Sequence, residues 1–295
     1  MGWKAVVCGV LAAVSVSSPA WAEVRVTVKA LEAEATKDGD DLSPAAAQKA
    51  AKSRVLKRRA MAKEAAARLN ERLKAAGFRH GTAQPLQRAG EVLVVVYDRD
   101  ATQEWVERVV FGRGEIELRP VLERGDLWAS LEGTLSDGME IRGAGPEAYV
   151  YGLDAGALVD LASRLALADA MVSVAPSGVG WKIVALGEPV ATQGDIEDVK
   201  LGRGRVGASY VSLRLAGDAS ARWSSGDARE WAVLLDGEVV TVSGRPSAER
   251  SRELLVMCPK AAQSDRECAS QIAGRAAAYI PVILMPVEGA REQQR

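Results

Sequence analysis

Side chains that commonly do chemistry are sparse in this sequence of 295 residues. His80 is the single histidine, and it stands beside Gly81 in a segment predicted to be a loop. A metal site needs several histidine, cysteine or carboxylate ligands at close spacing, so we interpret His80 as a surface residue. No serine stands in the Gly-x-Ser-x-Gly pattern of a hydrolase nucleophile. The sequence therefore contains no recognisable catalytic set.

Three carboxylates do stand close together, at Asp195, Glu197 and Asp198. Such a group could bind a cation or act as an acid/base pair. They also stand where a turn enters a strand, and an aspartate there usually accepts hydrogen bonds from its own backbone. We favour that local role and keep a hydrolase-like site near Asp195 as the alternative. The triplets Gly112-Arg113-Gly114 and Gly202-Arg203-Gly204 are too short for phosphate loops and predict turns.

The cysteines Cys258 and Cys268 flank a short polar loop. In an oxidising compartment a pair this close in sequence predicts one disulfide, with two reduced cysteines as the alternative. Closing so short a loop stabilises a fold by roughly 2–3 kcal/mol in the chain-entropy model. The pair lacks Cys-x-x-Cys spacing, so we predict a structural rather than a redox-active bridge.

The first residues predict the compartment. Lys4 precedes an apolar run from Ala5 to Val16, and Ala20-Trp21-Ala22 follows after a short polar stretch. This is the pattern of a secretory signal peptide over residues 1–22, with cleavage after Ala22. The alternative, a membrane anchor, is disfavoured because a bilayer span needs about 20 apolar residues. We therefore predict a periplasmic or secreted protein.

The overall composition is neither strongly basic nor strongly acidic. Lysine and arginine number 38 against 39 acidic residues, for a net charge of -1. Nothing in this balance favours nucleic acid or an anionic membrane as the partner. No other segment has the length and apolar character of a bilayer span, and no cofactor motif is present. We expect a soluble mature chain, or one held at the envelope only through partners.

Hydrophobic periodicity predicts an α+β protein. From Val24 to Val121 the expected order of elements is β-α-β-β-α-β, the ferredoxin-like arrangement. We assign residues 23–121 to this base, together with a return strand at 279–288. Residues 122–278 are expected to form a second α+β head subdomain with insertions, and residues 289–295 a disordered tail.

The stretch from Gly194 to Gly244 has the clearest pattern in the head. An alternating strand at 210–215 is followed by a predicted helix at 218–229 and an apolar strand from Trp231. The pair Asp236-Gly237 then predicts a hairpin, because a type I′ turn needs positive φ at both central residues.

The long helix predicted from Pro44 to Ala76 is crowded with positive charge in its first half. Its cations there are Lys49, Lys52, Arg54, Lys57, Arg58 and Arg59. One interpretation is a basic surface that meets an acidic partner or anionic lipid. The other, which we favour, is a solvated helix end.

Three segments of the chain carry a resemblance to a known family. The first runs from the helix end at 65–77 through the apolar strand 92–97 to Gly114–Arg119. The second joins Gly194-Asp195-Ile196-Glu197-Asp198 to Leu235-Asp236-Gly237-Glu238-Val239, and the third is 273–287. In type, order and spacing they resemble the first periplasmic domain of SecD, a protein-export membrane protein, over most of the predicted mature chain.

The resemblance implies a base-plus-head fold that binds extended or unfolded polypeptide, or a protein-export or membrane partner, without catalysis. Residues 122–180 and the loop between Cys258 and Cys268 depart from the family pattern. The membrane-embedded acidic residues that serve proton-coupled export in SecD have no counterpart here, so proton-driven translocation is not implied. Strand addition at a sheet edge would suit such binding, because it relies on main-chain hydrogen bonds.

Overall fold

The computed structural model describes residues 22–31, 44–87, 90–204, 208–244, 252–258, 265–280 and 283–287. The first strand begins at Ala22, the residue after which cleavage is predicted. The rest of the predicted signal peptide and the predicted tail lie outside the described residues.

The described residues form both α-helices and β-strands. In chain order the strands are β1 (Ala22–Leu31), β2 (Gly81–Pro85), β3 (Glu91–Asp98), β4 (Ile116–Leu122), β5 (Met139–Arg142), β6 (Tyr149–Gly152), β7 (Met171–Ser177), β8 (Gly180–Leu186), β9 (Ala191–Thr192), β10 (Ile196–Arg203), β11 (Ser209–Leu215), β12 (Glu230–Leu235), β13 (Glu238–Gly244), β14 (Glu253–Met257) and β15 (Ile283–Pro286). The helices are α1 (Pro44–Ala75), α2 (Gln103–Val110), α3 (Gly125–Ala129), α4 (Ala155–Arg164), α5 (Gly217–Ser225) and α6 (Asp265–Ala277).

The chain divides into two compact units. The smaller comprises Met1–Lys74, Phe78–Gly112 and Ile280–Arg295, and the larger comprises Ala75–Gly77 and Arg113–Tyr279. Each unit contains helices packed on antiparallel sheet. The predicted α+β class is therefore confirmed.

The smaller unit contains a four-stranded sheet in the order β15-β1-β3-β2. Alternate valines of β1 are buried, and Val26 faces Val94 of β3 in the register of the pair. Helix α1 contributes the fully buried Leu69 and Leu73, and α2 contributes Val106. Alternation in the strands and helical spacing in α1 and α2 thus direct one apolar side of each element into a common core.

One strand of the predicted base belongs elsewhere. The sequence placed residues 116–121 in the same sheet as β1 and β3, but β4 pairs with β12, β8 and β9 in the larger unit. The strand that pairs with the outer edge of β1 is β15, from the far end of the chain. Periodicity identified β4 as a strand, whereas its partner depends on packing that a local pattern does not encode.

A buried arginine ties the two helices of the smaller unit together. Arg72 of α1 is fully buried, and its Nη1 donates to the carbonyl oxygens of Val110, at 3.0 Å, and Gly112, at 2.9 Å. These carbonyls lie at the C-terminal end of α2, where backbone acceptors lack helical partners and the helix dipole favours a cation. The contact fixes the end of α2 against α1.

The larger unit contains two sheets. One runs in the order β13-β12-β4-β8-β6-β5, with β7 also paired to β8 and β9 paired to β4. The other has the order β10-β11-β14. A shared core is formed by Leu213 of β11, Trp223 of α5, Trp231 of β12 and Ala273 of α6, among others. Cys258, just after β14, forms a disulfide with Cys268 of α6 beside this core, as predicted.

The hairpin between β12 and β13 is also as predicted. Asp236 has φ of 53° and Gly237 has φ of 84°, the positive values that the turn requires. Asp236 also has a tertiary role: its Oδ1 accepts from the Glu115 N–H at 2.8 Å, and its Oδ2 forms an ion pair with Arg275 of α6. Burial lowers the pKa of Arg275. The turn therefore helps to fix α6 on the sheet.

Candidate functional site

The three carboxylates near Asp195 each have separate partners. Asp195 closes a short turn, because its Oδ2 accepts from the Thr192 N–H at 2.9 Å, and its Oδ1 accepts from Arg222 at 3.3 Å. Asp198 pairs with Lys200 at 2.8 Å, and that hydrogen bond is the main cause of its lowered pKa. These contacts match the local structural role favoured from the sequence.

The third carboxylate, Glu197, pairs with Arg252 at 3.3 Å and Arg214 at 3.6 Å. His80 is exposed in the turn before β2, where its carbonyl accepts from the Tyr97 N–H at 3.1 Å. Across the part of the chain that the structure describes, no three histidine, cysteine or acidic side chains are grouped closely enough to hold a metal ion.

The basic half of α1 lies on the surface. All ten residues from 51 to 60 are exposed, including Lys52, Arg54, Lys57, Arg58 and Arg59. Leu56 in the middle of this segment is 65% exposed. The segment is a continuous, strongly positive helical surface.

A strand-binding module needs an accessible sheet edge, and the outer edge of β2 is closed. Asn70 of α1 donates from Nδ2 to the Ala83 carbonyl at 2.9 Å, and its Oδ1 accepts from the Ala83 N–H at 2.8 Å. Both backbone hydrogen-bonding groups of Ala83 are therefore occupied by one side chain. Pro85, the last residue of β2, has no N–H to donate. This edge offers little to an added strand.

The edge of β8 is interrupted instead. The pairing of β6 with β8 includes Tyr151 opposite Lys182, and that of β4 with β8 ends at Leu122 opposite Ala185. Between these pairs, in the described registers, neither strand faces Ile183 or Val184. The two neighbouring strands separate here, and a pocket of about 330 Å³ occupies the opening.

The walls of this pocket are mainly apolar. The residues that line it include Leu122, Trp128, Tyr149, and Ile183 and Ala185 of β8. Trp128 and Ile183 belong to a buried core of this unit. A nonpolar side chain that entered the pocket would therefore contact packed apolar surface.

The mouth of the pocket is charged but balanced. Its lining includes three acidic and three basic side chains: Glu123, Glu147, Glu230, Arg124, Lys182 and Arg229. Lys182 pairs with Glu230 at 2.7 Å, and Arg229 pairs with both Glu147 and Glu123. Because the charges neutralise one another, the mouth has no strong preference for either sign.

Sequence reasoning missed this pocket. Its residues come from β4, α3, β6, β8 and the start of β12, which are distant along the chain. The only local signal is the apolar strand from Trp181 to Leu186 next to the glycine-rich, acidic stretch before Tyr149. That signal does not identify which strands meet.

The described helices include none with both the length and the apolar character that crossing a bilayer requires. No protein-family model matches this chain, and no curated protein matches it.

The solved structures that are similar to this chain include three of SecDF. A crystal structure of SecDF in a super-membrane-facing form is 18% identical with a TM-score of 0.45, and the match covers 91% of this chain and 30% of that one. A structure of SecDF described as a membrane component that enhances protein export is also 18% identical with a TM-score of 0.45, over 90% of this chain and 98% of that one.

The third is SecDF from Thermus thermophilus, described as a translocon-associated membrane protein, with 15% identity and a TM-score of 0.32 over 89% of this chain and 30% of that one. This chain thus spans less than a third of the two longer SecDF chains.

Proposed function

We propose that this chain is a SecD-like module of the cell envelope that binds extended or unfolded polypeptide without catalysing a reaction on it. The observation that carries the proposal is the pocket at the interrupted edge of β8, with apolar walls and a charge-balanced mouth. The sequence motifs shared with SecD support it independently.

The chemistry of the pocket fits one nonpolar side chain of an extended polypeptide. Burying a leucine-sized side chain contributes roughly 1.5–3 kcal/mol. Three of the lining residues, Trp128, Ile183 and Ala185, belong to a packed core, so little ordering of these side chains is needed when a ligand enters. A mouth with three charges of each sign accepts polypeptide of many sequences, which suits a module that binds unfolded chains.

The alternative function is a hydrolase-like site near Asp195. The contacts of its carboxylates support it less well than the pocket supports polypeptide binding. Asp195 accepts hydrogen bonds that shape its own turn, while Glu197 and Asp198 pair with separate cations. We therefore assign these residues to the stability of the turn and of β10.

The proposal is tested by calorimetry with short unstructured peptides. A peptide with one central leucine among uncharged polar residues should bind, and the same peptide with serine at that position should bind about tenfold or more weakly. Ala148→Leu narrows the pocket from its side and should lower affinity for the leucine peptide by a similar factor.

The matched control is Ala101→Leu. Ala101 and Ala148 are both 6% exposed, and Ala101 belongs to the smaller unit and does not line the pocket. Both variants should lose about 1–3 kcal/mol of stability through overpacking, but only Ala148→Leu should lose affinity. Equal binding of the leucine and serine peptides, or equal loss of affinity in both variants, would contradict the proposal.

A further inference from the structure

The exposed half of α1 has a pattern that the pocket does not explain. From Pro44 to Lys63 the sequence contains seven cations and no acidic residue, and the first acid is Glu64. The first turn of α1 contains no acidic side chain. The segment therefore has seven positive charges and no negative one, although the net charge of the whole chain is only -1.

Four of these cations lie in one line along the helix. Lys49, Lys52, Leu56, Arg59 and Lys63 follow one another at intervals of three and four residues, which places them on one side of α1. We call these five residues the basic stripe. All five are exposed, and Leu56 stands at the centre with 65% of its surface accessible.

The basic stripe lies on a different side of α1 from the packed one. Ala62 and Leu69 are buried, and their positions are more than a quarter turn away from the line through Leu56 and Lys63. The stripe extends over the 15 residues from Lys49 to Lys63, or about 21 Å of helix. It is therefore a long, straight, solvent-facing line of positive charge with one apolar side chain at its centre.

We propose that the basic stripe docks this chain on a membrane surface by binding anionic phospholipid headgroups. Cations aligned on one helix face attract an anionic lipid surface, and the long lysine stems keep their ammonium groups at the headgroups while Leu56 enters the boundary with the acyl chains. This inference is independent of the polypeptide-binding proposal.

A lipid surface explains the stripe better than an acidic protein does. Lipid headgroups form a mobile array that needs no fixed spacing of partner carboxylates, and only a lipid surface gives the central exposed leucine an apolar environment without a dedicated pocket. An acidic protein remains a distinct outcome of the test.

The test is flotation of the full chain with vesicles of phosphatidylcholine alone or with about 30% phosphatidylglycerol. Any contribution of the apolar N-terminal run is common to both vesicles, so the difference between them reports the charge-dependent part. We expect binding only or far more strongly with phosphatidylglycerol, and loss of that excess at high salt. The variant Lys49→Gln, Lys52→Gln, Arg59→Gln, Lys63→Gln should lower the partition coefficient about a hundredfold.

The control variant removes the same charge elsewhere in the smaller unit: Lys29→Gln, Lys74→Gln, Arg79→Gln, Arg99→Gln, all at exposed positions. It should retain most of the binding, and Leu56→Ala should weaken it several-fold. Equal partitioning to the two vesicles, unchanged binding of the stripe variant, or an equal loss in the control would overturn the proposal. So would binding to soluble polyglutamate without binding to vesicles, which would assign the stripe to an acidic protein.

Discussion

The outer edge of β2 in the smaller unit is closed to an added strand, whereas one edge of β8 in the larger unit is open. At β2, Asn70 occupies both backbone groups of Ala83, and Pro85 removes a donor from the strand end. At β8, the neighbouring strands separate beside Ile183 and Val184 and leave a pocket. The edge of β2 is blocked by the side chain of one helix residue, whereas the edge of β8 is open in the middle of a sheet.

The difference shows where this fold tolerates an incomplete sheet. An open edge is an aggregation hazard unless it is covered, shortened or charged. At β2 the side-chain amide of Asn70 makes the two hydrogen bonds that the backbone of a neighbouring strand would make. At β8 the opening is short and is bordered by charged pairs, so it accepts a side chain and its flanking backbone without presenting a long template for self-association.

The largest expected effect separates the stability of the smaller unit from the closure of its edge. Arg72→Met removes the buried donor to the Val110 and Gly112 carbonyls and should lower the free energy of unfolding by about 3 kcal/mol, measured by urea denaturation. Asn70 stays in place, so self-association should not change. Arg68→Met on the exposed side of α1 is the control, and its loss should stay under about 1 kcal/mol because its pair with Glu71 is solvent-exposed.

The second prediction applies the same separation to the larger unit. Replacing Cys258 and Cys268 with serine should lower its stability by about 2–3 kcal/mol, because the unfolded chain gains entropy. Neither residue lines the pocket, so peptide affinity should match that of the wild-type chain at a temperature where both are folded. A parallel loss of affinity would show that the open edge of β8 depends on α6.

The third prediction opens the closed edge. Asn70→Leu leaves the buried N–H and C=O of Ala83 without this partner and should cost about 2 kcal/mol. The variant should also self-associate in a concentration-dependent way by sedimentation, because the edge of β2 becomes available. Asn70→Asp keeps the acceptor for the Ala83 N–H, so its stability and its self-association should lie between those of the wild-type chain and Asn70→Leu. A monomeric Asn70→Leu protein would indicate that Pro85 alone closes the edge.

The smallest effect concerns the mouth of the open edge. Arg229→Met removes one cation from a balanced set and leaves the mouth with a net negative charge. Stability should change by less than about 1 kcal/mol, since Arg229 is 66% exposed. Peptides carrying lysine beside the central leucine should then bind a few-fold better than peptides carrying glutamate, by calorimetry. The wild-type chain should show no such preference.

Much of the fold could be predicted from local pattern. The hairpin at Asp236-Gly237 follows from the residue types of its turn, and the disulfide follows from the spacing of its cysteines. The end of α1 follows from the presence of a glycine at position 77, which has a positive φ of 83° in the structure. The alternating β1 and the apolar β3 also form as expected. In each case the signal lies within about ten neighbouring residues.

Predictions that depended on distant partners were less successful. The pattern of Ile116–Leu122 identified a strand but not its sheet. The return strand predicted at 279–288 does pair with β1, as β15, and it is the exception among these long-range predictions. The sequence also predicts a helix that Ser247 caps and that ends at about Val256. Its final part is instead a strand, because Leu254 and Val256 are buried on alternate positions of β14 against β11. The start of that predicted helix lies outside the described residues.

The candidate site could not be predicted because it lies where part of one strand, β8, has no neighbouring strand on one edge. Ile183 and Val184 read as ordinary strand residues, and the gap beside them exists only because β4 turns into α3 while β6 stays with β5. The closed edge was equally invisible, since Asn70 sits in a helix whose sequence gives no hint of Ala83. Whether an edge is open or closed is a property of tertiary contacts.

The most direct measurement places a photocrosslinking amino acid at Tyr149, on the wall of the pocket, or at Thr82, on β2, in two otherwise identical chains. Each chain is irradiated with an unfolded reporter protein. The account predicts strong crosslinking from position 149, suppressed by an excess of the leucine peptide, and little from position 82. Equal crosslinking from both positions, or crosslinking from position 82 alone, would contradict it.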